Sequence, residues 1–530
     1  MLANTRLKRA LGRLPLAAEL DWALRGRGLP GGGFKLEELQ AALPDWCRQV
    51  QASPLLDRKG RKVLVYATLH YWISQATLLA LAFTGLGHEV SLAYSPYANW
   101  KERVAKFDLR RREAYAREVL KSSEGLMAAK SLGTASVKQN LPASLADAIE
   151  HVSVMDTQYS LQIEEVDKDS DLFRLRLERN RAAAAAALAW LQVERPEVVV
   201  LPNGLIMEFG AVFQAARHLN IPVVSYEFGE QHDRIWLSCN SPVMLQQTDA
   251  LWQASRDEPF SEEQRAQVEE LFSSRQAAGL FGSFYRRWQN LPAEGAAAVR
   301  AKLNLDKRPV ALLAANVIGD SLTLGRASFT GDMSTWLRRT LAFFAQREDV
   351  QFVLRVHPGE SNLDGPSVAD LVRKDSPVLP SNLHIVAAED PINTYDLIAI
   401  ADLGLVYTTT VGLEMAMSGL PVIVAGRTHY CGKGFTQDPE SWEAYFSRLN
   451  KSLGDLNAVR LEPHQVDNAW HYAYRFFFDY PQPFPWHLLR FWKDVEETPL
   501  SAVFSDQGQE RFGRTFDYLL GDPFNWEAGL

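Results

Sequence analysis

At 530 residues the chain is too long for one hydrophobic core, so two or more domains are expected. Apolar residues make up 47% and charged residues 23%, an ordinary globular balance that excludes a disordered chain. A net charge of -8 argues against general affinity for nucleic acid, while leaving room for a local basic patch that holds phosphate.

Cys47, Cys239 and Cys431 lie far apart and form no CxxC pair. Neither a zinc site nor a disulfide framework is therefore expected, and a reducing cytoplasm fits. The opening "MLANTRLKRALGRLPL" scatters basic residues among apolar ones, unlike a secretory leader. No apolar run is long enough to span a bilayer. The same leucines and arginines make either a helix resting on a membrane surface or a solvated helix packed on its own protein. The expectation is a cytoplasmic protein, with peripheral attachment to the inner face of the cytoplasmic membrane left open.

The first sixty or so residues read as helices broken by the flexible turn "GLPGGGF", Gly28 to Phe34. An apolar strand, Val63 to Ala67, leads into a helical run ended by Gly85 and Gly87, and a second strand follows from Glu89 to Tyr94. This β-α-β unit seeds a doubly wound parallel sheet. Up to about Arg195 the chain reads as mostly helical, with the tract Ala182 to Ala187 a strong helix former. Strand Val198 to Leu201 stops at Pro202-Asn203-Gly204, a helix fills Ile206 to Leu219, and strand Val223 to Tyr226 ends at Glu227. Such sheets place ligands beyond the carboxyl ends of their strands, so Asn203, Glu227 and Glu230 lie where chemistry is possible.

A polar helical stretch from about Asp257 to Leu303 reads as a connection. A second alternating series follows: "PVALLAANVIGDS", "VQFVLRVHPGES", "NLHIVAAED", "LGLVYTTTVGLE" and "LPVIVAGR". Each is an apolar run ending in small, polar or charged residues, at the spacing of βαβ repeats. Beyond about Leu461 an aromatic tail reads as helices that cross back to the first domain. The expected division is a helical extension over 1–60, Rossmann-like domains over 61–250 and 306–460, a helical connection over 251–305 and the tail over 461–530. The expected fold class is α/β, with two Rossmann-like domains facing a cleft; the pattern suggests the GT-B architecture, with other two-domain α/β enzymes as the alternatives. No GxGxxG follows the first strand and no Walker A sequence occurs, which weakens dinucleotide and ATPase readings.

Three segments of the second series carry candidate chemistry. In "VYTTTVGLE", Thr408, Thr409 and Thr410 turn from a strand into a helix that starts near Val411. Hydroxyls and free N–H groups at a helix start suit a phosphate, Gly412 would admit a ligand closely, and Glu414 could accept from ribose hydroxyls. The bland alternative is that the threonines cap the helix and Glu414 complements its dipole. In "RVHPGES", Arg355 and His357 follow a strand, and Pro358 ends its pairing. His357 would donate to a phosphate or protonate a departing oxygen, or else be a surface histidine before a turn. In "GRTHYCGKGF", Arg427, His429 and Lys433 gather positive charge suited to a diphosphate or a sugar carboxylate, against the alternative of a solvated loop. "ANVIGDS" adds Asn316 and Asp320; Asp320 caps the next helix, touches the donor or acts as a base.

The order strand-Asn-Val-x-x-Asp, "RVHPGE", "VYTTTVGLEMAMSGLPVIVAGRTHYCGKGFT" and "FFFDYPQPFP" resembles the capsular polysaccharide synthesis family of bacterial glycosyltransferases. That family includes transferases of Kdo, and its His-Pro motif is shared with bacterial sialyltransferases. The resemblance runs from about Pro309 to Pro485. It implies that His357 contacts the donor phosphate, that Pro358 shapes its loop, that Thr409 and Thr410 bind phosphate or sugar, and that Glu414 holds the ribose. Gly319 stands where that pattern has a bulky aromatic.

The function expected is metal-independent transfer of a Kdo- or sialic-acid-like sugar from a nucleotide-activated donor, CMP-linked by first guess. The acceptor is a surface glycan, free or lipid-linked, and no bound cofactor is required. Donors aimed at the leaving phosphate stabilise the charge that builds there. Glu227 and Glu230 are candidate bases for the acceptor's proton, or simple surface acids. A nucleotide-sugar 2-epimerase and a non-catalytic glycan- or nucleotide-sugar-binding protein are the alternatives.

Overall fold

Two runs of alternating strand and helix each close into their own parallel sheet. The computed structural model describes residues 8, 11–12, 14–24, 33–133, 140–284, 291–362 and 365–527. The chain divides into two compact units. Unit 1 comprises Met1–Asp156, Asp167–Met244 and Gln482–Phe524, and unit 2 comprises Thr157–Val166, Leu245–Pro481 and Asn525–Leu530.

In unit 1 the strands are β1 (Lys62–Thr68), β2 (Glu89–Ser95), β3 (Ala128–Ser131), β4 (Val198–Pro202), β5 (Val223–Glu227) and β6 (Arg234–Cys239). They lie in the order β3-β2-β1-β4-β5-β6, all parallel except β6, which runs against β5. β1 and β4 are apolar and β-branched because both faces are covered. The helix His70–Gly85 that follows β1 is apolar nearly all round and accordingly buried nearly all round.

In unit 2 the strands are β7 (Val310–Ala314), β8 (Gln351–Arg355), β9 (Leu383–Val386), β10 (Leu403–Val406) and β11 (Val422–Val424). Their order is β9-β8-β7-β10-β11, all parallel. Both sheets thus repeat one doubly wound order, in which the direction of winding reverses beside the first strand of the unit. Trp336, Phe344, Phe352, Tyr407 and Tyr445 anchor the core of unit 2, and the Trp336 indole donates to Tyr445 Oη at 2.9 Å.

Several elements differ from the sequence reading. β3, within the stretch read as helical, is "AAKS"; it has no apolar alternation and exists by backbone pairing with β2. β6 pairs antiparallel beyond Glu227. The stretch read as a connection is part of unit 2: its helix Glu262–Gln276, opened by a Ser261/Gln264 capping box, buries Val268, Leu271, Phe272 and Arg275. The helix Pro463–Tyr474 and a π-helical turn, Arg475–Asp479, also belong to unit 2. Only then does the chain return to unit 1, where β12 (Gln482–Pro483) pairs with β6. The first sixty residues belong to unit 1, whose helix Glu37–Gln51 buries Leu39, Leu43, Trp46 and Val50. Most of the expected turn from Gly28 to Phe34 lies outside the described residues.

Candidate functional site

The strand order of unit 2 reverses between β7 and β10, and an open α/β sheet offers its ligand crevice at such a point. Ala314, Arg355 and Val406 are in register across β7, β8 and β10. Two residues further on, at the carboxyl edge, come Asn316, His357 and Thr408. The buried Asn316 amide oxygen accepts from the Thr408 N–H at 3.1 Å, tying the two loops together at the reversal. The Thr408 hydroxyl is buried with no hydrogen-bond partner. A buried polar atom of this kind calls for a partner. His357 Nδ1 accepts from the Gly359 N–H at 3.0 Å, so the neutral ring carries its proton on Nε2. Gly359 is needed there, since a Cβ would stand 2.9 Å from that ring nitrogen. Pro358 opens the 3₁₀ turn that makes this bend.

The helix after β10, Val411–Met417, is short, and Thr410 precedes it without a side-chain cap. Thr409 Oγ1 accepts from the Val411 N–H at a long 3.4 Å. Two expectations at this helix are corrected. Glu414 is buried and paired with Arg275 at 2.7 Å, so its carboxylate is occupied inside the protein and not offered to a ribose. Burial pushes that carboxyl up, against the pull of Arg275 and a hydrogen bond from Tyr395. Gly412 makes room for a tyrosine rather than a ligand: a Cβ would stand 2.3 Å from Tyr430 Oη, which donates to the Thr409 carbonyl at 2.6 Å.

Arg355 is also structural. It is buried, donates to the Ala387 carbonyl at 2.6 Å, and burial lowers its guanidinium to about 10 despite Asp390 and Glu389 nearby. Asp320 sits in the irregular loop after β7, where its carbonyl accepts from Thr323 and Leu324. It caps no helix; Asp332 caps the next one, Met333–Phe344, accepting from Thr335 N–H at 2.6 Å. Gly319 has φ +68, and a Cβ would stand 2.5 Å from the Gln158 carbonyl, so no aromatic side chain fits its place.

The cluster after β11 does not gather three positive charges. Arg427 is exposed. His429 is buried, stacked on Phe476 at 3.7 Å, with Nδ1 2.9 Å from Tyr472 Oη. Burial, with Arg326 and Lys433 adding repulsion, holds its pKa well below the usual value, so the ring is neutral. Lys433 is buried and paired with Asp249. Arg326, which carried no signal in the sequence, is buried close by and donates to Gln246 Oε1 at 2.8 Å; burial lowers it to about 10.

On the carboxyl edge of unit 1, Glu227 closes β5. Burial lifts its carboxyl to about 7, against hydrogen bonds from the Phe228 N–H at 3.1 Å and the Asn203 amide at 3.4 Å. Asn203 is fixed in the left-handed region at φ +59, its amide oxygen accepting from the Leu205 N–H at 3.0 Å. Glu230 is half-buried in the turn between β5 and β6. Sequence reasoning missed a buried network at the same edge, made by Arg176, Arg179, Asp156 and Glu208.

Among the described residues no three His, Cys, Asp or Glu side chains come together as metal ligands, and no helix is long and apolar enough to cross a membrane. No family model and no curated protein matches the chain. Among solved structures it is similar to the KpsC β-Kdo 2,4-transferase of Thermosulfurimonas dismutans, with 17% identity over 55% of this chain and 82% of that one and a TM-score of 0.34. It is also similar to the UDP-GlcNAc 2-epimerase of Neisseria meningitidis bound to UDP-GlcNAc, with 11% identity over 79% and 99% and a TM-score of 0.25. A third is the calicheamicin glycosyltransferase CalG4, with 14% identity over 86% and 99% and a TM-score of 0.26. Likenesses this distant decide neither chemistry nor substrate.

Proposed function

We propose that the chain is a glycosyltransferase whose unit 2 holds a nucleotide-activated sugar at the carboxyl edge of its sheet. One observation carries this reading: Asn316, His357 and Thr408 stand level across the reversal of strand order, with the Thr408 hydroxyl buried and unpartnered. The His357 imidazole, held by the Gly359 N–H at Nδ1, and the threonine hydroxyls are the donors for the leaving phosphate. Their stabilisation grows as negative charge builds on that group, and this lowers the barrier rather than merely tightening binding. Asn316 acts one step back, by holding the Thr408 backbone in place. Arg427, being exposed, is available to the same phosphates. In unit 1 the acceptor hydroxyl gives its proton to Glu227, whose ionisation near neutrality matches that task. The reaction needs no catalytic metal, so activity survives chelation by EDTA.

The sugar is Kdo- or sialic-acid-like and the nucleotide CMP, on the strength of the motif order in the second half of the chain. Thermal-shift measurements with CMP, UDP, GDP and CDP test the nucleotide, because a ligand that binds only the folded state raises Tm. CMP alone should raise it; a response to UDP alone would discard this choice. Incubation with donor alone separates transfer from 2-epimerisation, since an epimerase turns its donor over without an acceptor.

The acceptor is a growing surface glycan met at the cytoplasmic membrane face. Leu16, Leu20 and Leu24, four residues apart in and beside the helix Ala17–Leu24, are exposed, while Trp22 on its other side donates to Glu118 at 3.0 Å. An apolar stripe of this kind suits a lipid interface. The chain should co-sediment with phosphatidylglycerol vesicles, and a variant with serine at Leu20 and Leu24 should stay in the supernatant.

A further inference from the structure

In unit 2 a polar hollow of about 460 Å³ opens between the helix Asp249–Ser255 and the loop that carries Lys433. That volume falls within the roughly 300–1,000 Å³ of small-molecule sites. Its walls include Asp249, Trp252, Arg256, Asp257, Lys433 and Asn468, and neither Asn316, His357 nor Thr408 lines it. Gly432 and Gly434 border it with φ +72 and +91, and a Cβ on either would meet nothing within 4 Å. The loop backbone there faces open space.

The charges around the hollow are unequal in their freedom to move. The Lys433 side chain is 3% exposed, whereas that of its partner Asp249 is 83% exposed. A desolvated ammonium needs an anion and cannot leave its place. The Asp249 carboxylate is already solvated and can swing into water, provided that an incoming anion takes over the buried ammonium. Arg256 and Asp257 form a second pair, 3.4 Å apart and mostly exposed on both sides. A ligand anion can therefore take the place of Asp249. The remaining wall presents amide and carboxylate groups that both donate to and accept from hydroxyls. A sugar brings several hydroxyls that can use both kinds of group, whereas inorganic phosphate brings at most two P–OH donors near neutral pH.

We propose that this hollow is a second ligand site, separate from the sheet edge, that takes an acidic sugar: the ligand carboxylate displaces Asp249 from the Lys433 ammonium, and its hydroxyls bond to Asn468 and Asp257. The proposal goes beyond the donor reading and does not depend on it. The lysine was expected from the sequence to serve the donor; the hollow gives it a different ligand.

Calorimetric titration of the full chain tests this, with trigalacturonate as probe and maltotriose and inorganic phosphate as controls. Trigalacturonate should bind, and both controls should fail. Asp249→Asn removes the internal competitor and should tighten trigalacturonate binding about three- to tenfold, as freeing a partly occupied site does. Arg256→Gln, on the exposed rim, should weaken it with Tm unchanged, and Lys433→Gln should abolish it. His357→Ala should leave the affinity as it is. Equal binding of maltotriose, weaker binding by Asp249→Asn, or loss of binding in His357→Ala would each overturn the proposal. A folded Lys433→Gln chain that still binds would do the same.

Discussion

At the carboxyl edge of the first sheet two guanidinium groups lie enclosed with two carboxylates; at the same edge of the second stand an amide, an imidazole and hydroxyls. Arg176 Nε meets Asp156 at 2.5 Å, and Arg179 Nε meets Glu208 at 2.6 Å while its guanidinium lies 3.4 Å over the Tyr97 ring. Burial alone would raise the Glu208 carboxyl, but Arg176 and Arg179 overturn that and hold it at about 2. These four charges offset one another inside the protein, although Arg176 Nη2, Arg179 Nη2, Asp156 Oδ1 and Glu208 Oε2 make no hydrogen bond. Unit 2 has the same strand order and leaves a hydroxyl unclaimed. One topology therefore carries at its edge either opposite charges that pair with one another or uncharged groups that pair with no charge.

The largest effect should come from breaking the charged edge of unit 1. Glu208→Ala leaves two buried guanidinium groups without their shared carboxylate, a loss of about 3–5 kcal/mol. Urea unfolding should show it as a lower midpoint. A change under about 1 kcal/mol would mean that the network is not what holds this edge together.

Next comes the edge of unit 2. His357→Ala should lower kcat by about 10²–10⁴-fold, the range of one acid–base or donor group, with Tm unchanged. Steady-state kinetics with the responsive nucleotide-sugar reads this, and normal turnover removes the imidazole from the mechanism.

A smaller, graded effect belongs to Glu227. Its carboxyl is raised to about 7, so below that pH it is mostly protonated and cannot take a proton. Wild-type kcat/KM should therefore fall as pH drops through about 7, about tenfold per unit once well below it. The Asn203 hydrogen bond favours the ionised form, so Asn203→Ala should move the fall to higher pH, by less than about one unit. A limb centred near 4.5 would show that the carboxylate is not enclosed during turnover.

Much of this edge was legible beforehand, for a local reason. β7 to β11 are apolar runs that end in polar residues, and parallel register alone then sets Asn316, His357 and Thr408 level. What each side chain does there depends on partners that spacing cannot reveal. Glu414 is taken by Arg275 from a helix read as a connection, Lys433 by Asp249, and the room at Gly412 by Tyr430. Arg275 and Asp249 lie outside the candidate segments, and Tyr430 comes from a different segment than Gly412. The edge strand β3 escaped because pairing, not pattern, makes it a strand.

The smallest effect gives the sharpest comparison. Thr408→Val exchanges a hydroxyl for a methyl of nearly the same size at a buried site where the hydroxyl has no partner. Removing an unsatisfied polar atom should leave stability unchanged or raise it by up to about 1 kcal/mol, opposite in sign to Glu208→Ala. If the hydroxyl exists to meet a ligand oxygen, the same change must weaken nucleotide binding by one hydrogen bond, about two- to tenfold in Kd. Stability up and affinity down is a pair of signs that a purely structural threonine does not produce. A lower Tm would mean that Thr408 has a partner in the folded chain. An unchanged Kd would move the phosphate away from this turn.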